Sequence, residues 1–380
     1  MEYSIPFNKV FISGNELEYI KQSIANSHVS GDGPFSLRCH AWLKAYFSSP
    51  KSLLTTSCTH ALEISAMLLD IKPGDEVVIP AFTFVSTVNA FVRQGAKPIF
   101  VDIRPDTLNI DESILEEVIT PRTKAIIAVH YAGVGCEMDE IQGIVKKYAI
   151  PLIEDNAHGM FGRYRGQKLG TFGIVSALSF HETKNISCGE GGALIINDPQ
   201  YIERAEIIRE KGTDRSRFFR GQVDKYTWVD IGSSFLPSDM LAAFLFAQLE
   251  TSDLIQARRK TIWQNYIQGL FAWADTNNIA VPFIPDHCEQ PYHMFYLLMP
   301  SLENRDAFIT HLKNQGILSV FHYLPLHLSK MGRKYGGKPG GCPVTEDISR
   351  RLVRLPFYTG LGESEQQRVI DTIVSFNSNI

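Results

Sequence analysis

Hydrophobic positions along this chain follow two patterns. Short, nearly continuous apolar runs predict strands at 52–56, 76–80, 98–102, 124–130, 151–155, 175–180 and 193–197. Between them, apolar residues recur at helical spacing, which predicts helices at 60–69, 86–94, 139–148 and 201–211. Gly74 and Gly95 stand where helices should end. The run Ala125-Ile126-Ile127-Ala128-Val129 has no polar alternation, as expected of a strand covered on both faces. Strands and helices alternating in this way predict an α/β fold with a seven-stranded, mostly parallel sheet and helices on both faces.

The pattern changes after a long helix expected over 237–254. Beyond it, helices are expected at 258–272, running on into Trp273, at 305–315 and at 364–377, with strands at 292–299 and 319–323. This predicts a large domain over 1–254, the N-terminal segment included, and a smaller C-terminal α/β domain over 255–380. A chain of 380 residues can bury a core of that size.

Composition removes several function classes. A net charge of -4 lacks the basic face that nucleic-acid binding requires. No apolar run is long enough to span a bilayer, so no membrane association is expected. The start, Met1-Glu2-Tyr3-Ser4-Ile5-Pro6, lacks the basic and apolar regions of a signal peptide, and a cytoplasmic protein is expected. The six cysteines are scattered without a CxxC pair, which predicts reduced thiols and neither a disulfide frame nor a metal site.

The candidate chemistry lies at strand ends, where ligands bind in open α/β sheets. Lys184, in Ser179-Phe180-His181-Glu182-Thr183-Lys184-Asn185, follows one apolar run and precedes the cluster Gly189-Glu190-Gly191-Gly192. About thirty residues upstream, Pro151-Leu152-Ile153-Glu154-Asp155 ends in two acids. A lysine amine able to form a Schiff base, with a strand-end acid able to hold a pyridinium nitrogen, is what pyridoxal phosphate (PLP) chemistry requires. Alone, such a lysine is more often a solvated surface charge. Thr55-Thr56-Ser57-Cys58-Thr59 opens a helix, where free N–H groups and hydroxyls suit a phosphate, although Ser57 or Thr59 could equally be a plain N-cap. An aromatic in Phe82-Thr83-Phe84 could stack on the ring or pack the core, and His158 could hydrogen-bond the ring oxygen.

Together these motifs, with Gly74-Asp75-Glu76-Val77 and Glu154-Asp155-Asn156-Ala157-His158, resemble the DegT/StrS-type sugar-nucleotide aminotransferases, fold type I PLP enzymes. The resemblance covers essentially the whole chain. It implies that Lys184 is the Schiff-base lysine, Asp155 the pyridinium partner and Phe84 the stacking ring. It makes Ser57, the Cys58 backbone, Thr59 and Ser179 phosphate contacts, and gives His158 a position where the family carries Gln or His. The chain departs from the family's Gly-Tyr-Asn-Tyr-Arg-Met segment: Gly232-Ser233-Ser234-Phe235-Leu236 puts Ser234 for the Asn that reaches the neighbouring subunit's phosphate, and Leu236 for the Arg. A homodimer or dimer of dimers with shared sites is implied.

Within the family, the segment 210–228, Cys136-Glu137-Met138-Asp139 and Phe321-His322-Tyr323-Leu324-Pro325-Leu326-His327 are similar to the dTDP-4-amino-4,6-dideoxygalactose transaminases. That likeness implies L-glutamate as donor, released as 2-oxoglutarate, and a dTDP-4-keto-6-deoxyhexose as acceptor. It makes His322, Tyr323 and His327 candidate substrate contacts. Arg215, Arg217, Arg220 and Lys225, interleaved with Phe218 and Phe219 and followed by Tyr226, read either as a solvated face or as a grip for a diphosphate and stacked base. Alternatives are amination of a 3-keto or other nucleotide-linked sugar, and a PLP-binding regulator. Sugar dehydration by a related enzyme replaces the lysine with histidine, and Lys184 argues against it.

Overall fold

A computed structural model of the chain describes residues 3–376. The main sheet contains β1 Lys51–Thr55, β2 Glu76–Pro80, β3 Lys97–Val101, β4 Thr123–Val129, β5 Leu152–Asp155, β6 Val175–Ser179 and β7 Gly192–Ile196. All seven expected strands are present within a residue of their predicted bounds. Their spatial order is β1-β7-β6-β5-β4-β2-β3. Strand β7 is antiparallel to both neighbours, and the other pairings are parallel.

Alternating side chains explain the unbroken apolar run of β4. Ala125, Ile127 and Val129 join the core that contains Ala61, Leu62 and Phe91, while Ile126 and Ala128 join the one that contains Met138 and Ile141. Both faces are dry, so no position can be polar. Each fully buried Ile or Val contributes roughly 1.5–3 kcal/mol. Two N-terminal helices, α1 Glu16–Ala25 and α2 Pro34–Phe47, were not among the expected elements. Phe35, Cys39, Leu43 and Phe47 of α2 recur every fourth residue and cover Leu54, Leu178 and Ala193 of the sheet. Helices α3 Cys58–Leu68 and α4 Val85–Val92 follow β1 and β2.

The expected helix over 237–254 is two helices. Asp239–Glu250 ends at Thr251, and Ser252–Thr276 then runs 25 residues without a break through position 255. Its Tyr266 and Leu270 pack with Phe295, Phe308, Val353, Val369 and Ile370 in a separate C-terminal core. Ile5 belongs to that core and bridges to Ile317. The strand expected over 292–299 shortens to Tyr296–Leu298, which pairs with Leu352–Arg354, a strand the pattern did not single out. The one expected over 319–323 reduces to a bridge between Val320 and Arg354, because His322 and Tyr323 turn into a cavity instead of continuing a ladder. The last helix is Glu363–Val374; Asn377, at its expected end, lies outside the described residues. Gly95 adopts φ 101 just beyond α4, as expected of a helix stop, whereas Gly74, φ 99, forms the turn into β2 six residues after α3 ends. Among the described residues, no helix is long and apolar enough to cross a membrane.

Candidate active site

The carboxyl ends of the parallel strands and the C-terminal region enclose a cavity of about 730 Å³. Volumes of this order suit a cofactor-sized ligand. Lys184 reaches it from the turn after β6, where its N–H donates to the His181 carbonyl at 2.9 Å. Burial lowers its amine pKa to about 8, against the upward pull of Asp155. A buried ammonium loses hydration, so the neutral amine gains.

Asp155 ends β5 on the cavity wall. Its Oδ2 accepts from Thr87 Oγ1 at 2.7 Å and its Oδ1 from the Ala157 N–H at 3.2 Å. Burial raises its pKa, opposed by these two bonds and by Lys184. A cation placed beside it would restore the carboxylate.

At the other end of the cavity, Ser57 caps α3 by accepting from the His60 N–H at 3.1 Å. The plain N-cap role is therefore real. It still leaves the first-turn N–H groups of Cys58 and Thr59 without an intrahelical acceptor, at the cavity wall beside Ser179. Gly192 makes this approach possible. A Cβ there would drive into the Ser57 carbonyl carbon and the Cys58 nitrogen. Thr59 Oγ1 donates to Ser86 Oγ at 2.8 Å, which fixes α3 against the start of α4. Phe84 lies at that start, 55% exposed, with its ring 6.2 Å from that of Tyr323.

His158 stacks on His293 with ring centroids 4.3 Å apart, and its buried Nδ1 has no partner. Burial holds His158, His293 and His322 well below the usual imidazole range, so all three rings are neutral. His293 Nδ1 meets Asn185 Oδ1 at 2.9 Å, tying the Lys184 turn to the C-terminal region. His322 Nδ1 meets the Tyr131 hydroxyl at 3.0 Å.

The structure thus gathers Lys184, Asp155, Ser57, Cys58, Thr59, Phe84, His158, Ser179, His322 and Tyr323 around one cavity. It does not bring Ser234, Arg215, Arg217, Arg220, Lys225, Tyr226 or His327 to the wall of that cavity. Arg215, Arg217 and Arg220 are paired with Glu210, Glu203 and Glu206. Ser234 bridges to Glu210. His327 is buried away from this wall, its Nε2 2.9 Å from Glu346 Oε1. Sequence reading missed His293 and Arg354. A cation inside Leu352-Val353-Arg354-Leu355-Pro356-Phe357 was the available signal for the second, since an apolar run seldom admits one without a purpose.

A lysine amine, a buried acid, an orphaned imidazole nitrogen and a helix N-terminus around one cavity fit PLP. The DegT/DnrJ/EryC1/StrS aminotransferase family matches residues 11–374. The chain belongs to this family. An uncharacterised protein of Methanocaldococcus jannaschii is 35% identical over 348 residues, 90% of this chain and 89% of that one. Spr1654 of Streptococcus pneumoniae, described as a candidate sugar aminotransferase, superposes in its PMP form with a TM-score of 0.91 at 27% identity, over 98% of both chains. The aminotransferase TlmJ of Streptoalloteichus hindustanus gives 0.89 at 28% identity, over 99% of this chain and 98% of that one. DegT/StrS aminotransferases are PLP-dependent, and the pneumococcal protein is also known in its PLP form. This DegT/StrS protein is accordingly a PLP-dependent sugar aminotransferase with the fold of its relatives.

Proposed function

We propose that the protein transfers an amino group from L-glutamate to the C4 keto group of dTDP-4-keto-6-deoxyglucose, giving dTDP-4-amino-4,6-dideoxygalactose for a bacterial surface polysaccharide. The observation that carries the transamination is that Lys184 and Asp155 line one cavity. Bound PLP supplies an electron-withdrawing ring that acidifies the donor's Cα–H. Lys184 would anchor the cofactor covalently and, once freed, carry a proton on Nζ; an amine with pKa about 8 can both take and return one near neutrality. Asp155 would hold the ring nitrogen as a cation, and Phe84 would cover the ring. The His158 Nδ1 would meet the ring oxygen. Ser57, Cys58, Thr59 and Ser179 would hold the phosphate.

His322 and Tyr323 would face the sugar. The segment carrying Arg215, Arg217, Arg220, Lys225, Tyr226 and Ser234 would serve the site of a second subunit. Trp228 and Phe219 within it are 78% and 70% exposed, which favours a covered role in a homodimer. The cores around the main sheet and the separate C-terminal core support a large domain over 1–254 and a small one over 255–380, with Ile5 tying the N-terminal segment to the latter.

The C4 sugar reading rests on the similarity of 210–228 and 321–327 to one group within the family. Incubation with glutamate and a panel of dTDP-keto sugars, with the product identified by NMR, tests it. An axial C4 amine on the 6-deoxy sugar is expected. A product aminated at C3, or no turnover with any dTDP sugar, would replace this reading with another nucleotide-linked keto sugar.

A further inference from the structure

Asp155 is 6% exposed, and both hydrogen bonds to its carboxylate come from neutral donors, Thr87 and the Ala157 N–H. Burial pushes the carboxyl up, and the Thr87 bond at 2.7 Å pulls against that. Thr87 is fully buried in the first turn of α4. Threonines in later helices of this chain satisfy their hydroxyls locally. Thr261, Thr276, Thr310 and Thr372 each donate to the carbonyl four residues back. Thr87 instead sends its hydroxyl across to the end of β5, 68 residues along the chain.

A threonine hydroxyl carries one proton, and an ionised carboxylate only accepts. The Thr87 proton is therefore spent on Asp155 Oδ2. The Thr87 oxygen then offers only lone pairs to Thr83 Oγ1, 3.0 Å away and equally buried, so Thr83 must donate to it. The result is a chain of hydroxyls with one direction, from Thr83 to Thr87 to Asp155, in which each bond polarises the next. Both threonines line the cavity. The same short segment holds Phe84, at the cavity wall, and Ser86, which receives the Thr59 hydroxyl from α3. The torsion that turns a carboxylate plane is soft. A bond to Oδ2 from α4 and one to Oδ1 from Ala157 stop this plane from swinging.

We propose that Thr87 is a positioning residue for the cofactor, holding the Asp155 carboxylate charged and fixed toward the ring nitrogen, with Thr83 orienting the Thr87 hydroxyl. The inference rests on Asp155 being the ring-nitrogen partner, as proposed above. Thr87 acts through Asp155 and on the ring nitrogen alone, so its effect vanishes when that nitrogen is absent.

The test strips the cofactor from wild type, Thr87→Val, Thr87→Ser, Thr83→Val and Asp155→Asn. Each protein is then titrated by absorbance with PLP and with its 1-deaza analogue, in which a C–H replaces the ring nitrogen. Thr87→Val keeps the branched shape and removes the hydroxyl. Wild type should bind PLP more tightly than the analogue. Thr87→Val should cut that preference by about tenfold or more, the order expected for one hydrogen bond to a charged group, and leave affinity for the analogue unchanged. Thr87→Ser should restore most of the preference, and Thr83→Val should lose a smaller part of it, since Thr87 can still donate. Equal loss of affinity for both cofactors in Thr87→Val would make Thr87 a packing residue and overturn the inference, as would failure of Thr87→Ser to recover. If Asp155→Asn removes the preference and Thr87→Val does not, the Thr87 inference alone falls. If Asp155→Asn leaves the preference intact, the ring-nitrogen reading of Asp155 falls, and the chain of hydroxyls with it.

Discussion

Burial acts on Asp155 and Lys184, the proposed ring-nitrogen partner and Schiff-base lysine, in opposite senses. It raises Asp155 and lowers Lys184. A ring cation beside Asp155 would offset its desolvation, and an amide cannot supply that charge. Asp155→Asn should therefore lose about a hundredfold or more in turnover, while Asp155→Glu keeps more of it; near wild-type rates in Asp155→Asn would assign the ring nitrogen elsewhere. Lys184 gives a stability prediction in the cofactor-free protein. Its folded pKa, about 8, lies below the unfolded value of 10.5. Between these values the unfolded chain binds more protons than the folded one, so wild-type stability rises with pH across that window. Below about 8 the folded state carries the full cost of the buried charge. Lys184→Met should accordingly be more stable than wild type at pH 7, with the advantage shrinking from pH 8 to 10. Denaturant midpoints of the two apoproteins at several pH values measure this, and a constant difference would show that the amine is not perturbed.

At the scale of elements, the site depends on how closely β7 passes the start of α3. Gly192 pairs with Thr55 and with Ser179, and its missing Cβ lets the helix N-terminus come down onto the sheet. Gly192→Ala must push α3 away, and overpacking of this kind costs about 1–3 kcal/mol. The melting temperature should fall, and PLP affinity, read by absorbance titration, should fall about tenfold or more because the Cys58 and Thr59 N–H groups move. Gly189→Ala is a useful contrast, since its Cβ would meet nothing within 4 Å even though its φ of 84 strains any side chain. It should destabilise without moving the helix. Strong PLP binding in Gly192→Ala would mean that the phosphate is held by other groups.

Across the whole molecule, the unburied apolar side chains point to an incomplete surface. Phe84 borders the cavity yet is 55% exposed, and Phe219 and Trp228 are more so. The basic loop lies away from its own chain's cavity, with three of its arginines already paired. A second subunit would cover the apolar groups and bring that loop to a site. Subunits bearing Lys184→Ala, mixed with subunits bearing Ser234→Asp, should then regain activity. In the hybrid, one site combines an intact Lys184 with an intact Ser234. A fully active monomer by sedimentation, or no recovery in the mixture, would remove the shared site.

The α/β alternation, the seven strands and the family were written in local pattern, because strands buried on both faces must be apolar throughout and because the lysine, the acid pair and the glycine cluster recur together in order and spacing. Lys184, Asp155, Ser57 and His158 were legible for the same reason: each sits at a strand end or helix start. The division at Thr251 and the pairing of Leu352–Arg354 with Tyr296–Leu298 were not, since a helix break without Gly or Pro and a short strand leave weak periodic signals. His293 and Arg354 reach the site only because the C-terminal region folds back over the sheet. His327, in the same motif as His322, was drawn away by Glu346 nineteen residues later. Local sequence determined which chemistry the protein carries. Contacts between residues far apart in the chain decided which cations face the cavity and which are already paired, because that depends on where two cores meet.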